Sequence, residues 1–185
     1  EDVDEKKEAK KPEDKPPNVR TFDFRKGAMP EKARVVGGKT NISIEHDKSS
    51  SVVVDPGSHI LLDLDNIQPN ESKDMLNDFT LTMDIKLDRL PKKGFFLVSL
   101  NDKVERSNIS PGEIQVYPDG GIGFFGIQGL QKLKPGRWTR VVVTCGGGFG
   151  NSSRVLTTYI NGKKCAQIMK PVLNTRDGRF AMACS

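Results

Sequence analysis

An all-β fold of two packed antiparallel sheets is predicted by three features: an unbroken period-two run over residues 79–88, turn signals set between short apolar segments, and the lack of a convincing amphipathic helix pattern. In FTLTMDIKLD, Phe79, Leu81, Met83, Ile85 and Leu87 point one way and Thr80, Thr82, Asp84, Lys86 and Asp88 the other. A helix would scatter those apolar residues around its circumference, whereas a strand with one face buried requires this alternation. The run is therefore expected to be a central strand. The 18 Gly and 11 Pro among 185 residues fit a chain that turns often.

Residues 1–20 hold seven acids and six bases, three prolines (Pro12, Pro16 and Pro17), and only Val3, Ala9 and Val19 as apolar material. Such a segment cannot repay the entropy of ordering and reads as a disordered charged linker or tail. Residues 21–185 are expected to form one sandwich domain, starting near Thr21 or Phe22. Strands are expected at 41–45, 52–55 and 59–64, the last two joined through Asp55-Pro56-Gly57-Ser58. Beyond the long run, Pro91 and Gly94 punctuate the chain before FFLVSL at 95–100. EIQVY at 113–117 and GIGFF at 121–125 flank Pro118-Asp119-Gly120, a compact hairpin signal. RWTRVVVTC at 137–145 is ended by glycines, and a strand at 154–160 follows. Asn161-Gly162 then joins it to KKCAQIM, because both residues tolerate the positive φ of a type I′ turn. A last strand is expected at 179–184, giving about ten in all.

The net charge of +5 is uneven. Residues 21–78 hold ten acids and seven bases, and residues 79–185 hold seven acids and sixteen bases. The basic character therefore belongs to the second half, where it suits either an anionic partner or a charged edge that simply solvates the surface. Lys132, Lys134, Arg137 and Arg140 cluster around one turn and are the candidate ligand-binding residues. Cys145, Cys165 and Cys184 are too few for a disulfide framework, and their spacing matches no compact zinc pattern. They read as reduced, buried small hydrophobes. No apolar run is long enough for a transmembrane helix, so membrane insertion is not expected, and the acidic first residues do not resemble a signal peptide.

Several segments resemble concanavalin A-like and laminin G-like domains. Asp78-Phe79-Thr80 opens a strand as in those families, and Gly136-Arg137-Trp138 with Val141-Val142-Val143-Thr144 is similar to their Gly-x-Trp strand. Tyr159-Ile160-Asn161-Gly162-Lys163 is similar to their Tyr-x-Asn-Gly hairpin, and SSVVVDPGSHILLDL to their first strand pair. The resemblance spans about residues 52–169. It implies a jelly-roll sandwich, one that buries Trp138 and is truncated at its C-terminus if a closing strand lies beyond Ser185. It also implies a module that binds proteins or glycans, with glycosidases among its relatives.

A glycosidase needs two carboxyl groups about 5 to 9.5 Å apart. Glu105 and Glu113 are the only glutamates after residue 71, and both sit beside expected loops; Asp63 and Asp65 share a strand face but read as solvated. No Gly-x-Ser-x-Gly elbow or P-loop accompanies His46 and His59, and the glycines at 146–150 precede no helix that would hold a phosphate. No catalytic residue is assigned, and the chain is expected not to be an enzyme. No cofactor is expected; calcium, bound at some laminin G-like rims, is the alternative, with Asp102 and Asp119 as loop donors. Nucleic acid is disfavoured because the few aromatics read as core.

The expected function is thus a noncatalytic interaction module of a larger protein that binds a protein or an anionic surface such as an anionic glycan. The alternatives are a lectin-like glycan-binding domain and a structural sandwich without its own ligand. Sparse cysteines and the Lys- and Glu-rich leading segment point to an intracellular, cytoplasmic setting. Sequons at Asn41, Asn70, Asn108 and Asn151 carry the extracellular alternative.

Overall fold

Strand formation follows the alternation of apolar and polar side chains, most clearly at residues 139–146. There Thr139, Val141, Val143 and Cys145 are buried, while Arg140 is exposed and Val142, Thr144 and Gly146 are half-buried. The computed structural model describes residues 22–24, 28–37, 40–44, 50–55, 58–63, 78–99, 113–124, 126–147, 154–169 and 179–184, with backbone alone for 40–44, 50 and 179–184. The expectations for residues 1–20, Asp65, Asp102, Glu105 and the sequons at 70, 108 and 151 lie outside them.

The described residues form thirteen strands: β1 Ala33–Gly37, β2 Thr40–Ile44, β3 Ser50–Val54, β4 Ser58–Asp63, β5 Phe79–Ile85, β6 Phe95–Ser99, β7 Ile114–Val116, β8 Gly121–Phe124, β9 Ile127–Lys132, β10 Thr139–Gly146, β11 Val155–Ile160, β12 Lys163–Met169 and β13 Arg179–Cys184. They make a seven-stranded sheet in the order β1-β4-β13-β6-β7-β8-β9, a four-stranded sheet in the order β12-β11-β10-β5, and a separate β2-β3 ribbon. Every pairing is antiparallel. The all-β expectation holds, with three sheets where two were expected.

The two larger sheets share one core. Ile60, Leu62, Val98, Ile114, Val116, Ile122 and Phe124 from the larger meet Met83, Val141, Val143, Leu156 and Ile160 from the smaller. This is the arrangement of a β-sandwich, in which burial of both inner faces supplies the main driving force. At one side β12 crosses close over β8 and β9. Glycine permits that approach: a Cβ on Gly129 would lie 2.4 Å from Cys165 Sγ and 2.4 Å from the Ile122 carbonyl oxygen. The Cys165 thiol itself donates to that carbonyl at 3.3 Å.

Both hairpin expectations hold. Asn161 and Gly162, at φ 47° and 77°, turn β11 into β12. Asn161 also ties this turn to β10: its N–H donates to the Arg140 carbonyl at 2.9 Å, and its Oδ1 accepts from the Arg140 N–H at 3.0 Å. Around Pro118-Asp119-Gly120, β7 turns into β8, with Gly120 at φ 84°.

Other expectations are corrected. The period-two run ends as a strand at Ile85, and β5 is the outer strand of its sheet rather than a central one. Its core-facing Phe79, Leu81 and Ile85 are accordingly only half-buried. Trp138 is 46% exposed, not buried, because inward positions of the next strand are odd-numbered from Thr139 onward and Trp138 falls on the other parity. Cys145 and Cys165 are free and buried, as expected, on β10 and β12 with β11 between them.

Candidate binding rim

Four connections meet at one end of the sandwich. The β5–β6 connection is bound to the β9–β10 connection by the Gly136 N–H donating to the Leu87 carbonyl at 2.8 Å. The β7–β8 turn joins the same group through the Leu133 N–H, which donates to the Gly120 carbonyl at 2.8 Å. The β11–β12 turn is held to β10 through Asn161, as described above. Residues 84–94, 117–121, 132–140 and 161–164 therefore share a rim that bridges both sheets.

Within those segments stand ten cations: Lys86, Arg89, Lys92, Lys93, Lys132, Lys134, Arg137, Arg140, Lys163 and Lys164. Only three acids accompany them, Asp84, Asp88 and Asp119. Ten of the sixteen bases of residues 79–185 are thus gathered on one face of the molecule. Like charges held this close raise the local potential, and an anion that approaches the rim relieves their repulsion.

The four sequence-derived site residues divide into two kinds. Arg140 makes a bidentate pair with Asp84 across β10 and β5, Nε to Oδ1 at 2.8 Å and Nη2 to Oδ2 at 2.7 Å. The pair holds the Asp84 carboxyl below its ordinary range and raises Arg140. Lys132 contacts Asp119 Oδ2 at 2.6 Å. Lys134 and Arg137 are exposed and have no side-chain partner among the described residues. They present undivided charge to solvent, whereas Lys132 and Arg140 are partly neutralised and serve first to hold the rim together.

Asp119 is the organising acid. Besides Lys132, its carboxylate accepts from the Gly121 N–H at 3.0 Å and from Gln128 Nε2 at 2.6 Å. The Lys132 contact, followed by the Gly121 N–H, pulls its pKa down to about 2. That donor set does not suit a calcium ion, which needs six to eight oxygens rather than an ammonium and amide hydrogens. Among the described residues no group of three or more His, Cys, Asp and Glu side chains could hold a metal.

Of the carboxylates weighed for glycosidase chemistry, Glu113 and Asp63 are among the described residues. Glu113 is buried and accepts from Ser99 Oγ at 2.9 Å, while Asp63 is half-buried at the end of β4. His59 lies within β4, between β1 and β13, where burial lowers its pKa.

Sequence reasoning missed Lys86, Leu90 and Trp138 as rim residues. The Lys86 ammonium lies 5.4 Å from the centroid of the Trp138 ring, a cation–π arrangement. Strand parity was the available signal: counting back from Val141 puts Trp138 on the outer face with Arg140. Compared with known proteins, the chain matches no protein-family profile, no curated protein and no solved structure.

Proposed function

We propose that this chain is a noncatalytic interaction module of a larger protein, and that it engages an anionic partner through Lys134, Arg137 and the cations around them. One observation carries the reading: four connections from both sheets bring ten bases and three acids to one end. A merely solvated surface needs no such concentration, and charges scattered over both ends would serve solubility equally well. For the fold we propose the concanavalin A-like/laminin G-like jelly roll. In its support, the Asp-Phe-Thr, Gly-Arg-Trp and Tyr-Ile-Asn-Gly motifs open β5, lead into β10 and form the β11–β12 turn, in that order.

The test is binding to an array of neutral glycans, sulfated glycans and acidic peptides. Reversing both unpaired charges, Lys134→Glu with Arg137→Glu, is expected to weaken anionic ligands by about tenfold and to leave the unfolding midpoint unchanged. Binding by the unaltered chain is expected to weaken as salt rises. Preference for a neutral sugar, indifferent to charge reversal, would replace this reading with the lectin-like alternative. Glycoside hydrolysis lost in Asp63→Asn or Asp65→Asn would overturn the noncatalytic assignment.

A further inference from the structure

The rim differs from a plain charged edge in carrying two large apolar side chains on its loops. Leu90 is 38% exposed and Trp138 46% exposed. Both are held at the rim by neighbouring connections. A Cβ placed on Gly120 would come within 3.0 Å of Leu90 Cδ2, so Leu90 leans on the β7–β8 turn. Trp138 follows Gly136, whose N–H is tied to Leu87, and it carries Lys86 against its ring.

An acidic peptide accounts for the cations but not for a leucine and an indole partly exposed among them. A bilayer with anionic headgroups accounts for both. Lysine and arginine gain from the negative surface potential, and tryptophan, with an apolar body and one N–H donor, is favoured at headgroup level. The connections that carry these groups come from both sheets and are hydrogen-bonded together at the same end of the sandwich.

We propose that this end of the sandwich is a peripheral docking surface for a membrane containing anionic phospholipid, with Trp138 and Leu90 in the interfacial layer and Lys86, Lys92, Lys93, Lys134 and Arg137 over the headgroups. The inference rests on the reading of the rim as an anion-binding site and narrows it to one partner.

Trp138 is the only tryptophan of the chain, so its emission reports the contact directly. The protein is mixed separately with phosphatidylcholine vesicles, phosphatidylcholine vesicles containing phosphatidylserine, a short polyglutamate peptide and a sulfated polysaccharide. The expected result is co-sedimentation and a blue-shifted emission with the phosphatidylserine vesicles alone of the two lipid samples. Lys134→Glu with Arg137→Glu should reduce that binding by about tenfold or more. Leu90→Ala should reduce binding to the phosphatidylserine vesicles severalfold. Binding to a soluble polyanion with neither vesicle bound overturns the membrane inference and leaves the anionic-partner reading standing. Binding to none of the four overturns both. Co-sedimentation with unshifted emission overturns the placement of Trp138, and equal binding to the two vesicles overturns the role of charge.

Discussion

Asn161 illustrates how much one residue does in this fold, since it adopts a positive φ and also accepts the Arg140 N–H at 3.0 Å. Alanine tolerates that backbone poorly and offers no acceptor. Asn161→Ala is expected to cost about 1 to 3 kcal/mol in denaturant unfolding. Gly129 is constrained by space instead: alanine there must displace Cys165 or the β8 backbone, and Gly129→Ala should cost about 1 to 3 kcal/mol. An unchanged midpoint in that variant would show that β12 does not press on β9.

Asp119 adds a pH dependence. Its pKa is about 2 in the folded protein against an ordinary 3.8, so folding favours the carboxylate. The stabilisation is complete above the ordinary value and is lost as pH falls from there towards about 2. Asp119→Asn is therefore expected to flatten the stability profile in that acidic window, the more so at low salt, because the carboxylate is exposed. The Cys145 thiol titrates near 11, raised by burial and then by Asp78. It should resist a thiol reagent at pH 8 in the folded protein and react promptly once unfolded.

At the scale of elements, β5 and β11 make a controlled comparison. Leu81 is half-buried on an outer strand, whereas Leu156 is wholly buried on an inner one. Large-to-small changes in cores cost about 2 to 5 kcal/mol, and Leu81→Ala should fall at or below the bottom of that range with Leu156→Ala well inside it. Equal losses would contradict the sheet order. The period-two pattern of β5 was legible because alternation reports which face is buried, but it does not report how many neighbours a strand has. Edge and centre differ in hydrogen-bond partners, which leave no mark on periodicity. The same limit hid β9: IQGLQK has little alternation, and Leu130, 89% exposed, breaks any simple inward pattern. The two tight turns were legible because Asn161, Gly162 and Gly120 are among the few residues that accept positive φ at low cost. Of the site, the cation cluster at 132–140 was visible in the sequence, but its pairing was not. Asp84 and Arg140 stand 56 positions apart, and only the β5–β10 register brings them together.

For the whole molecule, the consequence of the topology is a concentration of bases at one end of the sandwich. Strands β5, β7, β9 and β11 all run towards the rim, so the connection after each one opens there and its bases accumulate on one face. Lys134 and Arg137 lie on the β9–β10 connection, which, like β5–β6, passes between the two sheets at this end. The account's central claim is that this end, and not the opposite one, meets the partner. Backbone amide shifts recorded while a short polyglutamate peptide is titrated in test it most directly. The account predicts salt-sensitive changes confined to residues 86–94, 117–121, 132–140 and 161–164, and their loss in Lys134→Glu with Arg137→Glu. Changes centred on the opposite end of the sandwich, near Ser99, Glu113 and Arg154, or none at any peptide concentration, would contradict it.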